Sequence, residues 1–232
     1  MKTKISILLL LATAFISCKN EKKEDEIDYK FADKPMIFNC PSLEHAKLFN
    51  EAFYSFEEDL KNQYLKDDPN QRIERAYGYL VPRHTNDRVK LIPSMVSKHT
   101  LNIFEELKKT GIFDPNNTVT HLKHDTAIVE CLSFNIANQQ IKTTYSALKQ
   151  TNSLRPSLIA SAAIGVGNSA YMDPHLKTYF ALAFYYAKLY DVDHSRLPAN
   201  MENPEDLKKI DLNSLQNTGG APSAGGSKTN NQ

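Results

Sequence analysis

The sequence predicts a mainly α protein, a single helical domain carried on a short tether. Three observations predict it. Apolar residues recur at steps of three and four through most of the middle of the chain, the period of one face of a helix. A capping side chain followed by proline stands at Asp68-Pro69, Asp114-Pro115, Asp173-Pro174 and Asn203-Pro204, the order that suits the N-cap and first position of a helix. The 232 residues, less two ends that do not read as folded, leave about 180 for a core, enough for one domain. No repeat of fixed length lies behind the proline pairs, so a solenoid is not predicted.

The elements follow in order. Phe49, Phe53, Phe56, Leu60 and Tyr64 make one apolar face, predicting a helix from about Leu43 to Leu65 with Ser42 as its cap. The next segment has two readings. Ile73, Ala76, Tyr77 and Leu80 fit a helix, which is preferred. Tyr77, Tyr79 and Val81, then Val89 and Leu91 across a polar turn, fit a small β-hairpin near 77–91. Met95, Val96, Ile103 and Leu107 predict a helix from Ser94 to Lys109, stopped at Gly111. Asp114-Pro115-Asn116 reads as a turn.

The longest helix is expected from His121 to Lys149. Its stripe runs Ala127, Cys131, Phe134, Asn138, Ile141, Tyr145, Leu148, widened by Ile128, Leu132 and Ile136. Pro156 opens a more apolar helix, expected to be central and buried. Its Ser157, Ser161, Gly165 and Ser169 form a small-residue stripe against which another helix is expected to pack closely. Pro174 to Tyr190 is the last apolar helix. Its Tyr185, Tyr186 and Tyr190 are expected in the core, with a ligand or partner face as the alternative.

Both ends differ from this middle. Lys2 and Lys4 precede an apolar run of twelve, Ile5 to Ile16, broken by Ser6 and Thr13. That is shorter than the roughly 20 residues needed to span a bilayer and fits the apolar stretch of a signal peptide. Phe15-Ile16-Ser17-Cys18 resembles the lipobox of bacterial lipoproteins, with Phe15 where Leu is usual. The resemblance implies cleavage before Cys18 and lipidation of Cys18, and it covers the leader only. Lys19 to Glu26 are all polar and read as a solvated tether. Their acidic residues resemble the export signal of Bacteroidetes surface lipoproteins. The expected divisions are therefore a signal peptide (1–17), lipidated cysteine and tether (18–35), helical domain (36–215) and a Gly- and Ser-rich tail (216–232). The implied location is the cell envelope at the outer membrane, with the domain on the cell surface or, as the alternative, facing the periplasm. There a disulfide is permitted. Two separate buried thiols at Cys40 and Cys131 are nevertheless preferred over a bridge.

Composition excludes some functions. Without Lys2 and Lys4 the chain has 26 basic and 27 acidic residues, and such a balance argues against a nucleic-acid partner, which calls for a basic surface. No Gly-rich phosphate loop, H-E-x-x-H, G-x-S-x-G or paired zinc cysteines occur, so no cofactor is implied. A His, then a His-Asp pair, then a later Asp resembles the HD family of metal-dependent phosphohydrolases. Here His99, His124 and Asp125 carry the resemblance, with His121 beside them and Asp173, Asp191 or Asp193 as a last ligand. Capping and core roles for these residues are preferred, and no metal site is expected. Asp191, Asp193, Ser195 and Glu202 have the spacing of calcium ligands in an EF-hand, but Arg196 stands where that loop needs glycine. Asp125-Thr126-Ala127 matches a short O-glycosylation sequon of exported Bacteroidetes proteins. The function expected is that of a membrane-anchored helical module that binds an envelope protein or a ligand. An envelope hydrolase of HD type is the alternative.

Overall fold

The computed structural model describes residues 27–197, and seven α-helices lie within them. The mainly α reading holds: the described residues contain no strand, only an isolated antiparallel bridge between Phe113 and Leu122. None of their helices is long and apolar enough to cross a membrane. The leader with Cys18, the 216–232 tail, Asn203-Pro204 and Glu202 lie outside the described residues.

Ile27 packs against the core, inside the stretch assigned by sequence to the tether. The Phe31 N–H donates to Glu51, and Asn50 and Tyr54 both donate to the Pro35 carbonyl. Helix α1 (Ala46–Tyr64) buries Phe49, Phe53, Phe56 and Leu60 as the stripe requires. Ser42 does not cap it. Ser42 and His45 take left-handed φ of 58° and 59°, coiling the chain before the helix, which starts without a side-chain cap.

Helix α2 (Ile73–Arg83) fills the ambiguous segment, so the 77–91 hairpin does not form. A hairpin would put Tyr77, Tyr79 and Val81 on one face. Instead Ala76, Tyr77, Leu80 and Val81 are buried and Tyr79 is exposed, a helical face. Pro93–Met95 form a 3-10 turn that delays α3 (Lys98–Lys109), capped by Ser97 through the Thr100 N–H and ended before Gly111 at φ 74°.

The expected 121–149 helix is two: α4 (Ala127–Phe134) and α5 (Gln139–Gln150). Asparagine side chains compete with the helix for its own backbone groups. The Asn135 amide donates to the Cys131 carbonyl at 2.9 Å, and the Asn138 side chain accepts from the Ile141 N–H at 3.0 Å, capping α5. The freed Ala137 N–H donates to Asp173 at 2.6 Å. Phe134, expected inside, is therefore 71% exposed.

Helix α6 (Pro156–Val166) is not the central one. It buries Ser157, Ile159, Ala160 and Ala163, while Ser161, Gly165 and Ser169 face outward. A Cβ on Gly165 would meet nothing within 4 Å, so no helix crosses there. The centre belongs to residues 174–191. There α7 (Pro174–Phe180) runs on through a π turn (Ala181–Tyr185) into a 3-10 stretch (Tyr186–Asp191), and every residue from Thr178 to Ala187 is buried. Asp173 caps α7, accepting from the His175 and Leu176 N–H groups. Tyr185 and Tyr186 are in the core, as expected, and Tyr190 is half-buried.

Cys40 and Cys131 are bridged, with Cα atoms 5.9 Å apart, contrary to the expectation of separate thiols. The bond ties the segment before α1 to α4. Their separation of 91 residues hides the pair in the sequence, since only packing brings them to bonding distance.

Candidate functional site

Two polar centres stand out. The first is buried. Asp59 on α1 is 2% exposed and has no cation against it among the described residues. Its Oδ2 accepts from Thr100 Oγ1 at 2.5 Å, Tyr185 Oη at 2.6 Å and Ser97 Oγ at 3.1 Å. Burial raises its carboxyl above the usual carboxylate range, and these hydrogen bonds pull the other way. The π turn explains the reach. Successive residues of a regular helix point about 100° apart. With the turn widened, both Tyr185 and the next residue address α1, Tyr186 donating to the Ala52 carbonyl at 3.1 Å. π turns occur often at functional sites. Here the turn closes a buried network that joins α1, α3 and the central helix.

The second centre is open. A cleft of about 730 Å³ lies between the loop after α2, the 118–121 loop, the start of α6 and the end of the central helix. Local turns build its walls. Asn86 accepts from the Arg88 N–H at 2.9 Å. Asn117 accepts from the Val119 and Thr120 N–H groups. Arg155 and Pro156 close the third side. The cleft narrows inward to a cavity of about 10 Å³ lined by His84, Ser157 and Phe184.

His84 is 5% exposed and stacks on Phe184, ring centroids 4.5 Å apart and planes 13° off parallel. Burial pushes its pKa down to about 3, and Lys188 and Arg83 add to the fall, so the ring is neutral at physiological pH. Its nitrogens have no hydrogen-bond partner among the described residues.

The charges around the mouth are unequally answered. Asp191 Oδ1 lies 3.1 Å from His121 Nε2, Asp87 lies 3.6 Å from Arg155, and Asp193 accepts from Ser195. Lys188 donates to the neutral Asp87 carbonyl at 2.8 Å. Arg88 and Lys90 are exposed, with no carboxylate partner among the described residues.

The histidines read as an HD set go to separate partners. His99 Nε2 lies 2.6 Å from Glu51 Oε1, in a pair linking α3 to α1. His121 has both nitrogens engaged, Nδ1 by the Asp114 carbonyl at 2.9 Å and Nε2 by Asp191, so it clips the 114–121 loop to the central helix. His124 Nδ1 lies 3.4 Å from Tyr145 Oη, and burial pushes its pKa down to about 4. Asp125 is exposed, and Asp173 is spent on capping and on Ala137. Among the described residues no three His, Cys, Asp or Glu side chains meet as a metal ion would require. Asp193 caps the short turn His194–Arg196, and its hydrogen bond from Ser195 holds its carboxyl below the usual carboxylate range. Thr126 is half-buried at the start of α4, its hydroxyl donating to the Lys123 carbonyl at 3.3 Å.

Sequence reasoning did not single out His84, Arg88, Lys90, Arg155 or Lys188. The one signal present was the polar run from Arg83 to Lys90, which reads as any surface turn. The fold and cleft define a class, an all-α single domain with an open cleft that carries charged side chains. Comparison with protein-family models, curated proteins and solved structures gives no match.

Proposed function

We propose that the chain is an exported lipoprotein, anchored in the outer membrane through lipid on Cys18, whose helical domain works by binding at its cleft. One observation carries the exported part. Cys40 and Cys131 are bridged, and disulfides persist in oxidising compartments and are rare in a reducing cytosol. The lipobox-like Phe15-Ile16-Ser17-Cys18 and the polar stretch behind it supply the anchor and tether. The cleft supports the binding part, because its volume falls in the range of about 300 to 1,000 Å³ typical of ligand sites. An envelope protein that inserts a side chain or loop there is the other occupant this reading allows. An HD-type hydrolase would need His99 and His124 at one centre, and the two meet different partners.

The test is metabolic labelling with an azido fatty acid followed by membrane fractionation. The wild type takes up label and sediments with outer membrane, and Cys18→Ser does neither. A wild type without label, or found in the cytosol, overturns the proposal.

A further inference from the structure

We propose that the cleft takes a small hydroxylated oxyanion, a sugar phosphate or sugar acid, with its charged group at Arg88, Lys90 and Lys188 and one hydroxyl beside His84. This rests on the reading of the cleft as a binding site and names what it binds.

Charge is the first argument. A cleft lined by both signs prefers a ligand opposite to the sign in excess. Four cations line it, Arg88, Lys90, Arg155 and Lys188, against three carboxylates, Asp87, Asp191 and Asp193; Asp87 pairs with Arg155, while Asp191 meets an imidazole and Asp193 a hydroxyl. Arg88 and Lys90 have no carboxylate within 4.0 Å among the described residues, and Lys188 donates to a carbonyl oxygen. The charge in excess is therefore positive, by one. Arginine and lysine are the side chains that grip phosphate and carboxylate by charge-assisted hydrogen bonds.

Shape is the second. The wide mouth admits a ligand body, but the inner cavity of about 10 Å³ has room for one group the size of a water molecule. A carboxylate or phosphate head, with three or more heavy atoms, exceeds that room. The head therefore stays in the mouth, among the cations, and a small neutral group enters.

The identity of that group follows from His84. A neutral imidazole offers one N–H donor and one acceptor, and the ring's plane is set by its stack on Phe184. A hydroxyl also donates and accepts, so it can answer either nitrogen. A methyl group would leave both unanswered, which disfavours a purely aliphatic anion. Thr118, Thr120 and Ser157 add further hydroxyls along the way in, suited to a polyol body.

The test uses the purified full chain in detergent micelles and isothermal titration with four probes: glucose 6-phosphate, glucuronate, glucose and inorganic phosphate. Glucose 6-phosphate or glucuronate binds, and glucose and phosphate bind roughly tenfold or more weaker. Which of the two binds better tells a phosphate head from a carboxylate head. The double variant Arg88→Ala/Lys90→Ala loses roughly tenfold in affinity while its melting temperature is unchanged, since both residues are exposed. Lys142→Ala, on α5 outside the cleft, leaves binding intact. His84→Asn also removes the stack on Phe184, so the charge variants carry the decision. The inference is overturned if neither sugar anion binds, if phosphate alone binds as well, or if Arg88→Ala/Lys90→Ala binds like wild type. Capture of an envelope protein through the cleft, without binding of either sugar anion, would overturn the ligand class and leave the binding module standing. Loss of fatty-acid labelling would overturn the anchor and leave the titration unaffected.

Discussion

Replacing Cys40 and Cys131 together by serine opens a covalent loop of 91 residues. In the chain-entropy description, a cross-link withholds from the unfolded chain an entropy that grows as the logarithm of the loop it closes. For a loop of this length the bridge contributes about 4 to 5 kcal/mol at 25 °C. That is a large part of the roughly 5 to 15 kcal/mol that holds a typical domain together. A domain of this size shifts by about 2 to 4 °C per kcal/mol, so the double variant should melt roughly 8 to 20 °C below wild type. The double variant is the right comparison, because a single replacement leaves a thiol free to pair elsewhere. The assay is a urea titration followed by circular dichroism, with thiol counting in denaturant beside it. Wild type should show two more reactive thiols after reduction than before, and the variant no such difference. Equal thiol counts for wild type with and without reductant would refute the bridge. A stability loss below about 1 kcal/mol with the bridge present would refute the loop argument.

Three further outcomes are expected. Tyr185→Phe removes a donor from the buried Asp59 carboxylate and should cost about 1.5 to 3 kcal/mol; a loss under about 0.5 kcal/mol in the same titration would show that Ser97 and Thr100 suffice. Asp59→Asn should alter how stability depends on pH. Burial raises the folded-state pKa of Asp59 above its unfolded value, so its contribution is present below the unfolded value and is lost as pH rises through the folded one. Relative to Asn, wild type should weaken over that rise, and a difference constant from about pH 3 to 8 would contradict the assignment. Gly165→Leu should be within about 1 kcal/mol of wild type, since the position is open and glycine is a poor helix former. Ala163→Leu, at a fully buried site two residues away, should cost about 1 to 3 kcal/mol by overpacking; equal effects in denaturant would contradict the placement of α6.

Much of the helical content was legible in the sequence because it is local. Phe49, Phe53, Phe56 and Leu60 declare a face by spacing alone, and Asp173-Pro174 declares a start, since cap and ring act within one turn. The break between α4 and α5 was missed for the opposite reason. Asn135 and Asn138 fit a helical stripe by position, and only their side-chain bonds, with Asp173 receiving the Ala137 N–H, end one helix and begin another. Of the cleft almost nothing was legible. Its residues come from four stretches of chain, and each alone is an ordinary polar turn.

The sequence by itself determined what depends on neighbours along the chain: a mainly α domain, most of its helix faces, and the resemblance of its first eighteen residues to a lipoprotein leader. Tertiary structure alone decided which helix is central, that Cys40 meets Cys131, that Asp59 is satisfied by hydroxyls, and that His84 ends beside an open cleft. Helix period and capping are short-range effects, written residue by residue. Burial and pairing depend on which surfaces are covered once all the helices pack. A small-residue stripe such as Ser161 and Gly165 reads the same whether it faces a neighbour or water.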